Sequence, residues 1–240
     1  MIDNWQERTN LLLGNESVKK LASAKVLVVG LGGVGAYAAE MICRAGIGHL
    51  SIVDGDKIHP TNRNRQLLAL KSTESKYKAS LMGERLRDIN PGMDIVVYDE
   101  YIKDDRMKEI LVKEKYDYVV DAIDTLSPKV YLLFHSLQQN LKVISSMGSG
   151  GKTNPALIQV TDISKTYNCR LAFYIRKNLR KLGIFKGFNV VFSPEDVSKK
   201  SVLLIDGEQN KRSTVGTVSY MPAIFGCFCA SEVIRSIANS

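Results

Sequence analysis

Gly30-Leu31-Gly32-Gly33-Val34-Gly35 fits the pattern G-x-G-x-x-G, and it stands where such a pattern can do chemistry. It follows the apolar run Lys25-Val26-Leu27-Val28-Val29, which reads as a buried strand, and opens the helix-forming stretch Ala36 to Ala45. Glycines at Gly30, Gly32, Gly33 and Gly35 allow a tight turn and let backbone N–H groups approach a phosphate at the positive end of a helix. Asp54 ends the next apolar run, Leu50-Ser51-Ile52-Val53, and is placed to accept hydrogen bonds from a ribose; Asp56 joins it as a nucleotide-binding candidate. By themselves these residues fit a dinucleotide as readily as ATP. A glycine turn with no ligand is the blander alternative, and the Asp54 spacing argues against it.

The next segment separates the two nucleotides. Asn62-Arg63-Asn64-Arg65-Gln66 sets amides beside two guanidinium groups, and Lys78 follows on the next helix. A nicotinamide enzyme has no evident need for this set, whereas a triphosphate does: arginine grips phosphate oxygens as a fork and lysine supplies a point charge. Asn62, Arg65, Gln66 and Lys78 are therefore read as ATP ligands, with a solvated loop as the plain alternative. Asp121 and Asp124 close the strand-like run Tyr116 to Ile123, where ligands of open α/β sheets bind. A carboxylate there suits Mg²⁺ held against phosphates, and Asp124, beyond the strand, is the freer metal candidate. Asp121 fits a buried acceptor equally well. Arg8 is a weaker candidate for folding over the nucleotide.

The elements that must position these groups alternate regularly. After the first βαβ unit come a helix over Lys76 to Ile89, a strand over Asp94 to Tyr98, a helix over Asp104 to Lys115 and the Tyr116 to Ile123 strand. Ser127-Pro128 reads as a helix start, with serine as N-cap and proline at the first helical position. A strand over Lys142 to Ser146 precedes Gly148-Ser149-Gly150-Gly151. The expected fold is α/β, a Rossmann-like, mostly parallel sheet with helices on both faces. Beyond it, strands over Leu157 to Ile163, Asn189 to Phe192 and Ser201 to Ile205, and a helix from about Val218 to Ile237, extend the fold. The whole chain, 1–240, is read as one adenylating domain: 1–151 binds nucleotide, and 152–240 faces the substrate and a dimer partner.

Composition narrows the classes. With 240 residues, 45% hydrophobic, the chain can bury a substantial core, and its net charge of +8 suits an anionic partner. The amino-terminal residues lack a signal-peptide layout, and no uncharged apolar run is long enough to span a bilayer, so a cytoplasmic location is expected. The apolar stretch from Tyr220 to Ala230 is interrupted by Pro222 and Gly226 and is read as a buried or partner-facing helix. Cys43, Cys169, Cys227 and Cys229 form no C-x-x-C pair, so no zinc site is expected. Cys227 and Cys229 are read as core residues, with Cys169 left open. Between Asp162 and Glu195 there is no acidic residue. On a helix there, Leu171, Ile175, Leu179 and Leu182 share one face, and Arg176, Lys177, Arg180 and Lys181 point the other way. With Arg170 they form the candidate nucleic-acid surface, weighed against an ordinary solvated basic face.

Taken together, Gly30 to Gly35, Asp54, Asn62 through Gln66, Lys78 and Asp121-Ala122-Ile123-Asp124 resemble the ubiquitin-activating-enzyme-like ATP-binding superfamily, which includes the sulfur-carrier adenylyltransferases. Within it the chain is similar to the tRNA threonylcarbamoyladenosine dehydratases, through Asp88-Ile89-Asn90-Pro91, Met147-Gly148-Ser149-Gly150-Gly151-Lys152, Gln159 to Thr166, Phe192-Ser193-Pro194-Glu195 and Gly216 to Gly226. The resemblance implies that Asp54 binds ribose, that Lys78 and Arg65 contact phosphates, that Asp124 binds the metal, and that Arg65 reaches across a homodimer interface. It implies a substrate, N6-threonylcarbamoyladenosine beside the tRNA anticodon, whose carboxylate attacks ATP to give an acyl-AMP. The carbamoyl nitrogen then closes a ring and expels AMP, with Arg65, Lys78 and Asp124 as the catalytic set. A sulfur-carrier or cysteine-desulfurase accessory partner is compatible with it. The rival readings are adenylation of a sulfur-carrier C-terminal glycine, NAD-dependent oxidoreduction, and non-catalytic nucleotide sensing on tRNA.

Overall fold

The computed structural model describes residues 4–204 and 213–240. Its centre is a seven-stranded sheet built from β1 (Lys25–Val29), β2 (His49–Val53), β3 (Asp94–Tyr98), β4 (Tyr118–Asp121), β5 (Lys142–Ser146), β6 (Gln159–Asp162) and β7 (Asn189–Phe192), in the order β3-β2-β1-β4-β5-β7-β6. All neighbours run parallel except β6, which pairs antiparallel with β7 at the edge. The strand order reverses between β1 and β4, which opens a crevice at their carboxyl ends.

The near-continuous apolar runs of the central strands follow from burial on both faces. In β1, Val26 and Val28 pack with α3 (Gly35–Arg44), α4 (Lys78–Ile89) and α8 (Tyr220–Ala238), through Ile42, Met82, Leu86 and Phe225. Leu27 and Val29 face the other way, onto α5 (Asp104–Lys113), α6 (Leu126–Gln138) and α7 (Arg170–Lys181), through Ile110, Leu133 and Ile175. β8 (Val202–Leu204) and β9 (Ser213–Val215) form a separate antiparallel pair. Ile205, the expected end of the Ser201 to Ile205 strand, lies outside the described residues.

Four elements differ from the sequence expectation. Two amino-terminal helices, α1 (Glu7–Leu13) and α2 (Asn15–Ser23), were not anticipated. α2 buries only Val18 and Leu21, and α1 buries nothing. α6 begins at Leu126 with Thr125 as N-cap, so Ser127 is not the cap and Pro128 is the third helical residue. Proline is still harmless there, because N–H groups of the first turn have no helical acceptor. Finally, Pro222 and Gly226 do not interrupt α8. Pro222 again lies in the first turn, and Gly226 lets α8 press onto α3, where an added Cβ would stand 2.4 Å from Val34 O. α8 is long and apolar enough to cross a membrane by length and composition, but Met221, Phe225, Cys229 and Val233 are core residues of the sheet–helix layer.

Candidate active site

The glycine turn is built by close approach. Gly30 has φ 89°, and a Cβ there would stand 2.8 Å from Ala122 O. A Cβ on Gly35 would come within 1.7 Å of Gly30 O, and one on Gly33 within 2.9 Å of Pro222 Cβ. Any larger residue at these three positions forces the backbone apart. Gly32 is different, since its nearest neighbour on that side is Gln66 Nε2 at 3.8 Å. Gln66 Oε1 is buried without a hydrogen-bond partner among the described residues.

Asp54 ties this turn to the next strand. One carboxylate oxygen accepts Leu31 N–H at 2.6 Å and the other accepts Asp56 N–H at 2.8 Å. Burial raises the Asp54 pKa above the ordinary carboxylate value, while the Lys78 charge and the two backbone donors work against that rise. Lys78, at the start of α4, is almost wholly buried, and its Nζ donates to Asp56 Oδ2 at 2.7 Å. The Tyr101 hydroxyl donates to the other Asp56 oxygen, and this bond helps push the Tyr101 pKa up to about 12. Glycine turn, Asp54, Asp56, Lys78 and Tyr101 thus form one continuous network along the carboxyl ends of β1 to β3.

The polar stretch folds locally. Asn62 Oδ1 accepts His59 N–H and caps a short 3₁₀ turn, so Asn62 shapes the loop. Arg65 donates to Thr61 O at 3.0 Å and Asn64 Oδ1 at 2.9 Å, while Asn64 Nδ2 reaches Thr217 O at 3.0 Å ahead of α8. The Arg65 carbonyl lies against Gly33.

The two strand-end aspartates part company. Asp121 has no exposed surface: its Oδ2 lies 2.7 Å from Lys129 Nζ, itself fully buried, and accepts the Ser145 hydroxyl at 2.6 Å. Lys129 Nζ also donates to Ile123 O at 3.0 Å. Asp121 is therefore set beneath the crevice, and the nucleotide contact given to it in the sequence reading is corrected to a supporting role. Asp124 is exposed, in the loop whose Ala122 backs onto Gly30. Among the described residues no group of three His, Cys, Asp or Glu side chains converges.

This arrangement can be compared with known proteins. Residues 6–240 match the ThiF family. Over 188 residues, 78% of this chain and 74% of the relative, the chain is 40% identical to a tRNA threonylcarbamoyladenosine dehydratase of Bacillus subtilis (strain 168). It is 33% identical to the dehydratase of that name from Escherichia coli (strain K12), covering 98% of this chain and 95% of the relative. The chain belongs to the ThiF family, in its tRNA threonylcarbamoyladenosine dehydratase branch. The crystal structure of the E. coli enzyme TcdA in complex with ATP superposes with a TM-score of 0.89 at 32% identity, covering 99% of this chain and 96% of that one.

The rest of this ThiF-family chain carries further corrections. α7 buries Ala172, Ile175 and Leu179, whereas Leu182, the residue that caps its carboxyl end, is exposed and leaves the expected apolar face. Arg176 turns partly inward to the Thr166 hydroxyl, and burial, with Arg180 nearby, lowers its pKa; it leaves the basic face. Arg170, Lys177, Arg180 and Lys181 remain exposed. Cys227 is exposed and not a core residue, whereas Cys229 is buried and its thiol is pushed up to about 12 by that burial. Cys169 is buried at the N-cap of α7. Sequence reasoning missed Lys129 and Tyr101. Lys129 was detectable as a lone cation on the helical face it shares with Leu132, Leu133 and Ser136, all buried. Tyr101 follows β3 with no periodic signal.

Proposed function

We propose that the chain uses ATP to dehydrate N6-threonylcarbamoyladenosine in tRNA to a cyclic product. The observation that carries this reading is the assembly of the glycine turn, Asp54 and Lys78 at one crevice, in a chain whose full length matches enzymes of that name. The triphosphate lies over the glycine turn, Asp54 accepts from the ribose hydroxyls, and Lys78 exchanges Asp56 for phosphate oxygen. Gln66 Oε1 meets a donor of the nucleotide.

The threonyl carboxylate oxygen attacks the α-phosphorus and pyrophosphate leaves, giving acyl-AMP. The carbamoyl nitrogen then bonds to the acyl carbon, loses its proton and expels AMP, which carries away the carboxylate oxygen. The second step is intramolecular, so proximity supplies much of its rate. Lys78 and Arg65 stabilise phosphate charge. Mg²⁺ fits Asp124, since that ion is commonly held by one or two carboxylates together with substrate phosphates, and when bound it neutralises phosphate charge. Asp121 is unsuited, being occupied by Lys129. Cys169 and Cys229 are buried, which argues against either as an acyl acceptor, and leaves Cys227 as the exposed thiol of the three. We further place the enzyme in the cytoplasm as a homodimer, with Arg65 reaching the partner's site.

Incubation with ATP, Mg²⁺ and tRNA bearing the modification, followed by digestion and mass analysis, tests the reading. Loss of one water from the nucleoside, abolished in Arg65→Ala, is the expected result. Bound ATP without mass loss overturns the substrate assignment, and carrier-dependent pyrophosphate exchange then identifies a sulfur-carrier protein instead.

A further inference from the structure

The exposed face of α7 mixes cations with rings. Among Arg170, Lys177, Arg180 and Lys181 stand Phe173, 53% exposed, and Tyr174, 37% exposed. The two rings meet edge to face with centroids 5.4 Å apart, and the Arg170 guanidinium lies 5.9 Å from the Tyr174 ring centre. The helix buries Ala172, Ile175 and Leu179 on its other side, so these rings do not build the core. No carboxylate occurs between Asp162 and Glu195 to neutralise the cations.

The start of α7 is fixed on the ligand edge of the sheet. Asn168 Nδ2 donates to Pro194 O at 2.7 Å, just beyond β7. Leu171 lies against Gly148, just beyond β5. β5 adjoins β4, whose end carries the Asp124 loop. With strands roughly 4.8 Å apart, the first turns of α7 stand about 10 Å along the same edge from the nucleotide crevice.

We propose that Phe173 and Tyr174 form a stacking platform for unpaired bases of the tRNA anticodon loop. Arg170 and Lys177 hold the adjoining phosphates. Single-stranded bases present open π-faces, and proteins bind them by interleaving aromatic rings with cations, as this face does. The inference rests on the tRNA reading above and adds to it the groups that grip the loop.

The test compares wild type, Phe173→Leu/Tyr174→Leu, Phe173→Trp and Lys177→Gln in binding an anticodon stem–loop RNA over a range of salt, with a fully paired duplex as control. The double leucine variant is expected to raise Kd for the stem–loop by about tenfold or more, with an unchanged slope of log Kd against log salt, and to leave duplex binding alone. Lys177→Gln is expected to reduce that slope by about 0.7. Phe173→Trp keeps wild-type affinity, which separates loss of the ring from loss of fold. If the leucine variant binds as wild type while Lys177→Gln weakens binding, the platform is overturned and the tRNA reading stands. If wild type does not bind the stem–loop, both fall. A leucine variant with altered mass by light scattering and unaltered RNA affinity makes this face a protein contact and overturns the platform.

Discussion

Asp56–Lys78 and Asp121–Lys129 are both aspartate–lysine pairs with a separation of 2.7 Å, and each aspartate takes a second bond from a hydroxyl, of Tyr101 in one case and Ser145 in the other. They differ in solvent. The Asp121–Lys129 side chains are both 0% exposed, whereas Asp56 is 49% exposed. Neither charge has water to turn to, so the deep pair is fixed; with the bonds from Ser145 to Asp121 and from Lys129 to Ile123 O it locks the β4 end, Ile123 and β5 into one unit beneath the crevice. In the pair at the mouth, Asp56 can be rehydrated when Lys78 leaves it. On the proposed function, a lysine so placed is held ready and moves to a phosphate at small cost. On that proposal the same pair of residue types serves as a rivet in one place and a latch in the other.

The largest effect expected is on stability. Lys129→Met leaves a buried carboxylate without its cation and is expected to cost about 3–5 kcal/mol, read as a lower urea midpoint. Adding Asp121→Leu removes that charge and is expected to recover much of the loss. If Lys129→Met alone unfolds at the wild-type urea concentration, the deep pair is no rivet. Lys78→Met should show the opposite profile: a small change in midpoint, but a fall of about 10²- to 10³-fold in ATP-dependent pyrophosphate exchange, the scale for losing one preorganised charge donor.

The pH dependence sharpens the contrast. Burial already raises the Asp54 pKa, and the Lys78 ammonium opposes that rise. Because the folded pKa is raised, protonating Asp54 relieves the fold, so stability contributed here increases as pH falls through that pKa. On the proposed ribose role of Asp54, ATP binding runs the other way, since only the ionised carboxylate accepts two hydroxyls. The acid limb of ATP affinity is therefore expected above the ordinary aspartate value, and to move higher still in Lys78→Met. A limb unmoved by Lys78→Met would separate Asp54 from nucleotide binding.

Much of this was legible beforehand. The strands β3, β5 and β7 were expected at the residues where they occur, because each is a short β-branched or apolar run bounded by turns. The glycine turn and Asp54 were legible because backbone approach demands glycine at fixed spacing. The difference between Asp121 and Asp124 was not. In the sequence both close one apolar run; the structure ends β4 at Asp121, where Lys129 from α6 and Ser145 from β5 arrive across 8 and 24 residues, and leaves Asp124 in the exposed loop beyond. Arg176 escaped for a related reason, since Thr166, outside the helix, draws it inward.

The smallest expected effect concerns Tyr101, whose hydroxyl shares Asp56 with Lys78. Removing it in Tyr101→Phe leaves Asp56 with one fewer donor, so its hold on Lys78 tightens and the lysine transfers to phosphate less readily. One hydrogen bond at an exposed site is worth about 1 kcal/mol, so KM for ATP is expected to rise only a few-fold. The decisive measurement is a double-mutant cycle. With Asp56→Asn in place the latch no longer carries a charge, and Tyr101→Phe should then change KM by much less than it does alone. Additive effects would mean that Tyr101 acts on the nucleotide directly, and Asp56–Lys78 would then be an ordinary ion pair at the rim of the crevice.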